Sequence, residues 1–222
     1  MAAFRTILAK DLRVELRTLQ SLPAMALFAI TIFVVFRFGL DRTSLEGSLA
    51  AGVLLVTVLF AGLLAINRLF VAERDEGGFD AMRLAPIDMS ALFAAKVAAL
   101  FLYLLALELV ALPVFAAFFL DDAEGLVPLA GILCLLNLGL ATTGALVSTV
   151  GAHSRARDLL TPLVLLPLLV PLMIAAGGAA DPLLAAGGPE YDAVWKWVGT
   201  LALYDLTFLL VGYAVYDFLV ED

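Results

Sequence analysis

Leu69–Lys96 reads LFVAERDEGGFDAMRLAPIDMSALFAAK, a charged interruption between two long apolar runs. Glu73, Arg74, Asp75 and Glu76 carry the end of the first run into water. Gly77-Gly78 breaks the helix, because glycine is costly in a helix interior and admits unusual backbone angles. Phe79–Ala85 is expected to form a short helix with Phe79 and Met82 on one side and Asp80 and Arg83 among its polar groups. Pro86 stops it. Asp88 then caps a helix that continues through Lys96 into the next run. The result is a short, rigid element lying across the ends of two membrane helices. On pattern alone an ordinary charged loop fits equally well.

Working outward, the runs on either side decide the class. The chain has 222 residues, 64% hydrophobic and only 15% charged, with mean hydropathy +1.06. Soluble domains run near half apolar and a quarter charged, so this is an integral membrane protein of single-domain size, residues 1–222. A hydrocarbon core about 30 Å thick takes about 20 helical residues. Six runs reach that scale: Leu22–Phe38, Ala50–Phe70, Val97–Leu120, Leu126–Gly151, Leu159–Gly177 and Val194–Leu219. Lipid cannot satisfy open backbone groups and barrel alternation is missing, so the fold class is all-α with six transmembrane helices. The fifth run is short and holds Pro162, Pro167 and Pro171, so kinks or a partly re-entrant path are expected.

Orientation follows from the cations. With the N-terminus inside, ten of the 13 Lys and Arg residues lie on the inner side, and only Arg37, Arg42 and Lys196 lie outside. Asp41, Glu46, Asp121, Asp122, Glu124, Asp181, Glu190 and Asp192 line the outer loops. The positive-inside rule gives N-in and C-in, with Trp195 and Trp197 as an outer interfacial belt. No signal peptide is expected, since the first apolar run follows a long charged segment. The net charge of −8 argues against a nucleic-acid partner.

Phe4–Leu19 reads as a helix on the inner membrane surface. Phe4, Leu8, Leu12, Leu16 and Leu19 share one side, and Lys10, Arg13 and Arg17 lie opposite. Asp11 and Glu15 fall inside the apolar sector. They either pair with neighbouring basic residues or face another part of the assembly. Gly39–Leu49, Asp121–Gly125 and Gly178–Ala193 read as external loops. Gly139, Thr142, Thr143, Gly144, Ser148 and Thr149 give the fourth run a small-residue surface suited to close helix packing.

Two acids lie within spans, Glu108 in the third and Asp205 in the sixth. A carboxylate at the bilayer centre costs about 2.5–3.5 kcal/mol on insertion scales. Each is expected to be protonated, paired or turned toward a water-filled cavity, in a subunit interface or a conduction path. Asn67 and Arg68, near the inner end of the second span, are candidate partners, although Arg68 can simply snorkel.

Other chemistries find no residues. Cys134 is alone inside an apolar run, which rules out a disulfide or thiolate metal site from this chain. His153 is the one histidine and sits in a basic loop with Arg155 and Arg157. No Cys-x-x-Cys-His haem attachment site and no nucleophile–base constellation is present. No metal site, bound cofactor or enzymatic activity is expected. Lys10, Lys96 and Lys196 follow Ala, Ala and Trp, so no P-loop exists and any ATP must be hydrolysed on another subunit.

The stretch FVAERDEGGFDAMRLAP with Lys96 downstream resembles the segment after the second span in CcmB, the haem exporter protein B family. The resemblance extends to Lys10-Asp11-Leu12-Arg13 with Glu15 and Arg17, to the acidic outer loops and to LVLLPLLVP at Leu163–Pro171. Gly77-Gly78 departs from the more usual single glycine, and Ala85 stands where serine is common. The resemblance implies an ABC-2 exporter-like fold in the bacterial inner membrane, within the cytochrome c maturation system. It implies a CcmA-like ATPase, CcmC- and CcmD-like membrane subunits and a CcmE-like haem chaperone as partners, and two copies of the chain. Phe79–Ala85 would be the coupling helix that docks on the ATPase. Glu73, Arg74, Gly77, Phe79, Asp80, Met82, Arg83 and Pro86 would form the coupling site. Haem would be cargo of the complex. Two alternatives stand beside this: a general ABC-2 exporter permease for a lipid, drug or glycan, and an assembly subunit through which nothing passes. A secondary transporter fits less well, since no inverted repeat with paired broken helices is seen.

Overall fold

The computed structural model describes residues 2–19, 21–40, 44–75, 89–122, 124–151 and 157–221; at 2, 70–75, 151, 157–160 and 217–221 only the backbone course is described. Its described residues form seven α-helices and no strand. They are α1 (Ala2–Thr18), α2 (Ser21–Gly39), α3 (Gly47–Asp75), α4 (Met89–Phe119), α5 (Leu126–Gly151), α6 (Arg157–Leu183) and α7 (Trp195–Glu221). A 3₁₀ turn at Tyr191–Ala193 precedes α7. Six of the helices, α2 to α7, are long and apolar enough to cross a membrane.

Helix α5 is the axis of the bundle and packs against α3, α4, α6 and α7. Its small side chains explain this position. Ala141, Thr142, Thr143, Gly144 and Ala145 are all buried and let neighbouring backbones approach. Around it, α2 packs on α3 and α4, and α1 lies along α4. Helices α2 and α7 bury little of their length and form outer edges.

The fifth span corrects the re-entrant path that its prolines suggested. Helix α6 is continuous from Arg157 to Leu183, through Pro162, Pro167, Pro171 and Pro182. It is neither short nor re-entrant. Gly178 to Leu183, assigned to an external loop by composition, form its last turns. Gly178 is glycine for a packing reason: a Cβ there would fall inside the Trp197 indole ring. The ring therefore closes the α6–α7 seam, with Lys196 Nζ 4.7 Å from its centroid. Trp195 remains exposed, as an interfacial residue should.

The outer ends are stitched by backbone bonds. Leu45 N donates to Phe119 O at 2.9 Å, Gly47 N to Leu184 O at 2.6 Å, and Glu190 N to Pro182 O at 2.9 Å. Beneath them Phe33, Phe115 and Phe119 pack ring against ring at 5.5–6.1 Å. Such pairs add to their area of burial when tilted or edge-on.

Candidate functional site

At the inner end, α1 has a different buried face from the one its leucines suggest. Ile7, Asp11 and Glu15 are buried, whereas Leu16 is 69% and Leu19 56% exposed. The two acids that interrupt the apolar sector are thus its inward centre. Asp11 Oδ2 lies 2.9 Å from Lys96 Nζ, and both side chains are almost fully buried. Lys10 Nζ also reaches Asp11 Oδ1, at 3.2 Å, from a half-exposed position. Tyr103 Oη donates to the Asp11 carbonyl at 3.0 Å. Glu15 reaches past the end of its own helix: its Oε1 accepts from Ser21 N and Leu22 N, both at 2.8 Å. It caps α2, whose first amides have no intrahelical acceptor. The turn between the helices is held by Leu19 in the left-handed region, φ 46°, with Leu19 N bonded to Glu15 O at 2.7 Å. Asp11 and Glu15 therefore tie α1 to the membrane bundle.

This clamp joins two parts of the sequence noted separately: the Lys10–Arg13 motif and the lysine downstream of the charged interruption. Lys96 lies in the first turns of α4, immediately after residues 76–88. Of the coupling residues inferred from sequence, Gly77, Phe79, Asp80, Met82, Arg83 and Pro86 lie outside the described residues. Glu73 and Arg74 fall in the last helical turns of α3. His153 and Arg155 are likewise outside them.

Within the membrane, Glu108 and Asp205 are buried, at 8% and 3% exposure. They have different surroundings. Glu108 Oε1 accepts from Asn137 Nδ2 of α5 at 2.5 Å. Asp205 has no protein donor to either oxygen among the described residues. It abuts Gly139 of α5, where a Cβ would lie 2.7 Å from Asp205 Oδ1 and also strike Leu172. Asn67, expected as a partner of Glu108 and Asp205, is half-buried on α3, and no hydrogen bond joins it to either acid. Asn137 takes that place for Glu108. A single asparagine within an otherwise apolar run was the sequence signal for it.

Two tyrosines complete the polar seam of α5 and α7. Tyr204 Oη donates to Leu168 O at 3.0 Å and shares a 3.0 Å bond with Thr143 Oγ1. Thr149 Oγ1 donates to Tyr216 Oη at 3.1 Å. The threonines of α5 therefore do more than pack. They anchor α7, whose outer side faces away from the bundle. Among the described residues no group of three or more His, Cys, Asp or Glu could hold a metal ion.

The family model described as CcmB protein matches residues 2–218. Relatives are similar along most of their length. Heme exporter protein B of Bradyrhizobium diazoefficiens is 26% identical over 93% of this chain and 93% of its own. The protein of that name from Rhodobacter capsulatus is 28% identical over 77% of this chain and 78% of its own. That from Pseudomonas aeruginosa is 28% identical over 92% and 91%. With six spans bound into one bundle and a match from the first turn of α1 nearly to the end of α7, the chain is a multi-pass membrane protein that belongs to the CcmB family.

Proposed function

We propose that the chain is the permease subunit of a haem-exporting ABC complex that serves cytochrome c biogenesis in the bacterial inner membrane. The observation that carries this reading is the family match over residues 2–218, with relatives named heme exporter protein B. A separate CcmA-like ATPase supplies the work, since the chain has no P-loop. CcmC- and CcmD-like subunits, a CcmE-like chaperone and a second copy of the chain complete the assembly. The ATPase docks on residues 69–96, with Phe79 and Met82 as the apolar contact and Glu73, Arg74, Asp80 and Arg83 around it. A rigid-body push there reaches α4 directly, and α1 through the Asp11–Lys96 clamp. Haem is cargo of the complex and is not a resident cofactor.

One observation favours a second reading, an assembly subunit that is remodelled by the ATPase while nothing crosses it. The centre of the bundle is filled: Leu133, Leu136, Leu140 and Ala141 of α5 are fully buried against the surrounding helices. In that case the output is release of the haem-loaded chaperone.

The test is co-purification of the ATPase with tagged chain. Phe79→Asp with Met82→Asp is expected to release it while the chain keeps its membrane yield. Recovery of the ATPase at full yield sinks the docking assignment. Haem trapped between two copies in an ATP-bound complex would support passage; haem held by other subunits alone would support the assembly role.

A further inference from the structure

Helix α1 has four cations and two acids. Both acids are turned inward and used, one on Lys96 and one on the α2 amides. What remains on the exposed side is positive, on a chain of net charge −8. Arg5, Ala9, Arg13 and Arg17 follow one another at four-residue intervals, so they form a single row along the helix. With Lys10 and Val14 beside them they line an open groove of about 530 Å³. Ala9 leaves a gap between Arg5 and Arg13, which flank it one turn away on each side.

The depth of this row follows from α4. That helix has 31 residues, about 46 Å at 1.5 Å per residue, and exceeds the hydrocarbon by about half. Counted inward from Phe119, about 20 residues cross the core and end near Leu100. Lys96 lies about 6 Å further on, among the headgroups. Tyr103 leans toward the start of its helix, as helical side chains do, and meets the Asp11 carbonyl at the core boundary. The clamp thus holds α1 at headgroup depth. Leu16 and Leu19, exposed on the same helix, suit acyl chains below and not bulk water.

We propose that α1 binds the phosphates of anionic phospholipids of the inner leaflet through Arg5, Arg13 and Arg17. Guanidinium groups take phosphate oxygens in a two-pronged fork, and an anionic leaflet contributes roughly 1 kcal/mol per basic residue at its surface. Because Asp11 fixes α1 to α4 beside the coupling segment, lipid bound here steadies the element next to the ATPase dock.

The test uses the full chain, delipidated in mild detergent and titrated with phosphatidylglycerol or phosphatidylcholine, with lipid adducts counted by native mass spectrometry. Phosphatidylglycerol is expected to bind about tenfold or more tighter than phosphatidylcholine. Arg5→Gln, Arg13→Gln and Arg17→Gln together should erase that preference, and Lys196→Gln on the outer side should keep it. Should the triple variant fail to fold, Arg13→Gln alone should reduce the preference about fivefold. Equal binding of the two lipids, or an unchanged preference in the arginine variants, overturns the proposal. So does inorganic phosphate that displaces the lipid at equal concentration. An intact lipid preference together with loss of the ATPase from the triple variant would assign the row to a protein partner instead.

Discussion

Lys96 Nζ lies 2.9 Å from Asp11 Oδ2, 85 residues earlier in the chain, and neither side chain is more than 3% exposed. Taking two charges out of water is costly, and a partner left alone is costlier. Asp11→Leu or Lys96→Met alone is expected to cost about 3–5 kcal/mol. Asp11→Leu combined with Lys96→Met should recover much of that loss. Thermal unfolding of the four proteins in one detergent completes the cycle. Additive losses would show that the two residues do not act as a pair.

Glu15 caps a helix that is not its own. Glu15→Ala removes the acceptor from two α2 amides and should cost about 1.5–3 kcal/mol, the range for hydrogen bonds to a charged group. Glu15→Gln keeps an acceptor oxygen and should cost less. Proteolysis at the α1–α2 turn provides a second measurement: faster cleavage is expected in the alanine variant. Equal cleavage of all three would count against the cap.

Two glycines separate packing from propensity. Gly178→Ala drives a methyl group into the Trp197 ring and should destabilise by about 1–3 kcal/mol. Gly52→Ala meets nothing within 4 Å and should be neutral or stabilising, since alanine favours helix. Melting temperatures of the two variants measure the difference. A neutral Gly178→Ala would mean that the α6–α7 seam is looser than its geometry.

The intramembrane acids should respond differently. Asn137→Ala removes the donor to Glu108 and should lower stability by about 1–3 kcal/mol. Asp205→Asn keeps the shape beside Gly139 and should leave assembly intact. If these carboxyls serve the transport cycle, Glu108→Gln with Asp205→Asn should reduce holocytochrome c yield without reducing complex assembly. Normal yield and normal assembly would remove both residues from the mechanism.

Much of the fold was legible because lipid imposes simple rules. Apolar length is enough to mark six membrane-length helices, as the structure has them. The resemblance carried by residues 69–96 named the family, and the match over residues 2–218 bears it out. The prolines of α6 misled because the bulk of a membrane helix survives a missing amide donor when neighbouring groups and local adjustments compensate.

By itself, then, the sequence determined the number of spans and the charged interruption between the second and third. Only the tertiary structure decided what the buried polar groups are for. Asp11 and Glu15 looked like flaws in an amphipathic helix. In three dimensions Asp11 meets a lysine 85 residues on, which no local pattern reports, and Glu15 meets the first amides of the next helix. The same holds for Asn137 and Glu108, 29 residues apart on adjacent helices. Periodicity records the surface that water or lipid leaves, and partners inside a bundle are chosen by packing.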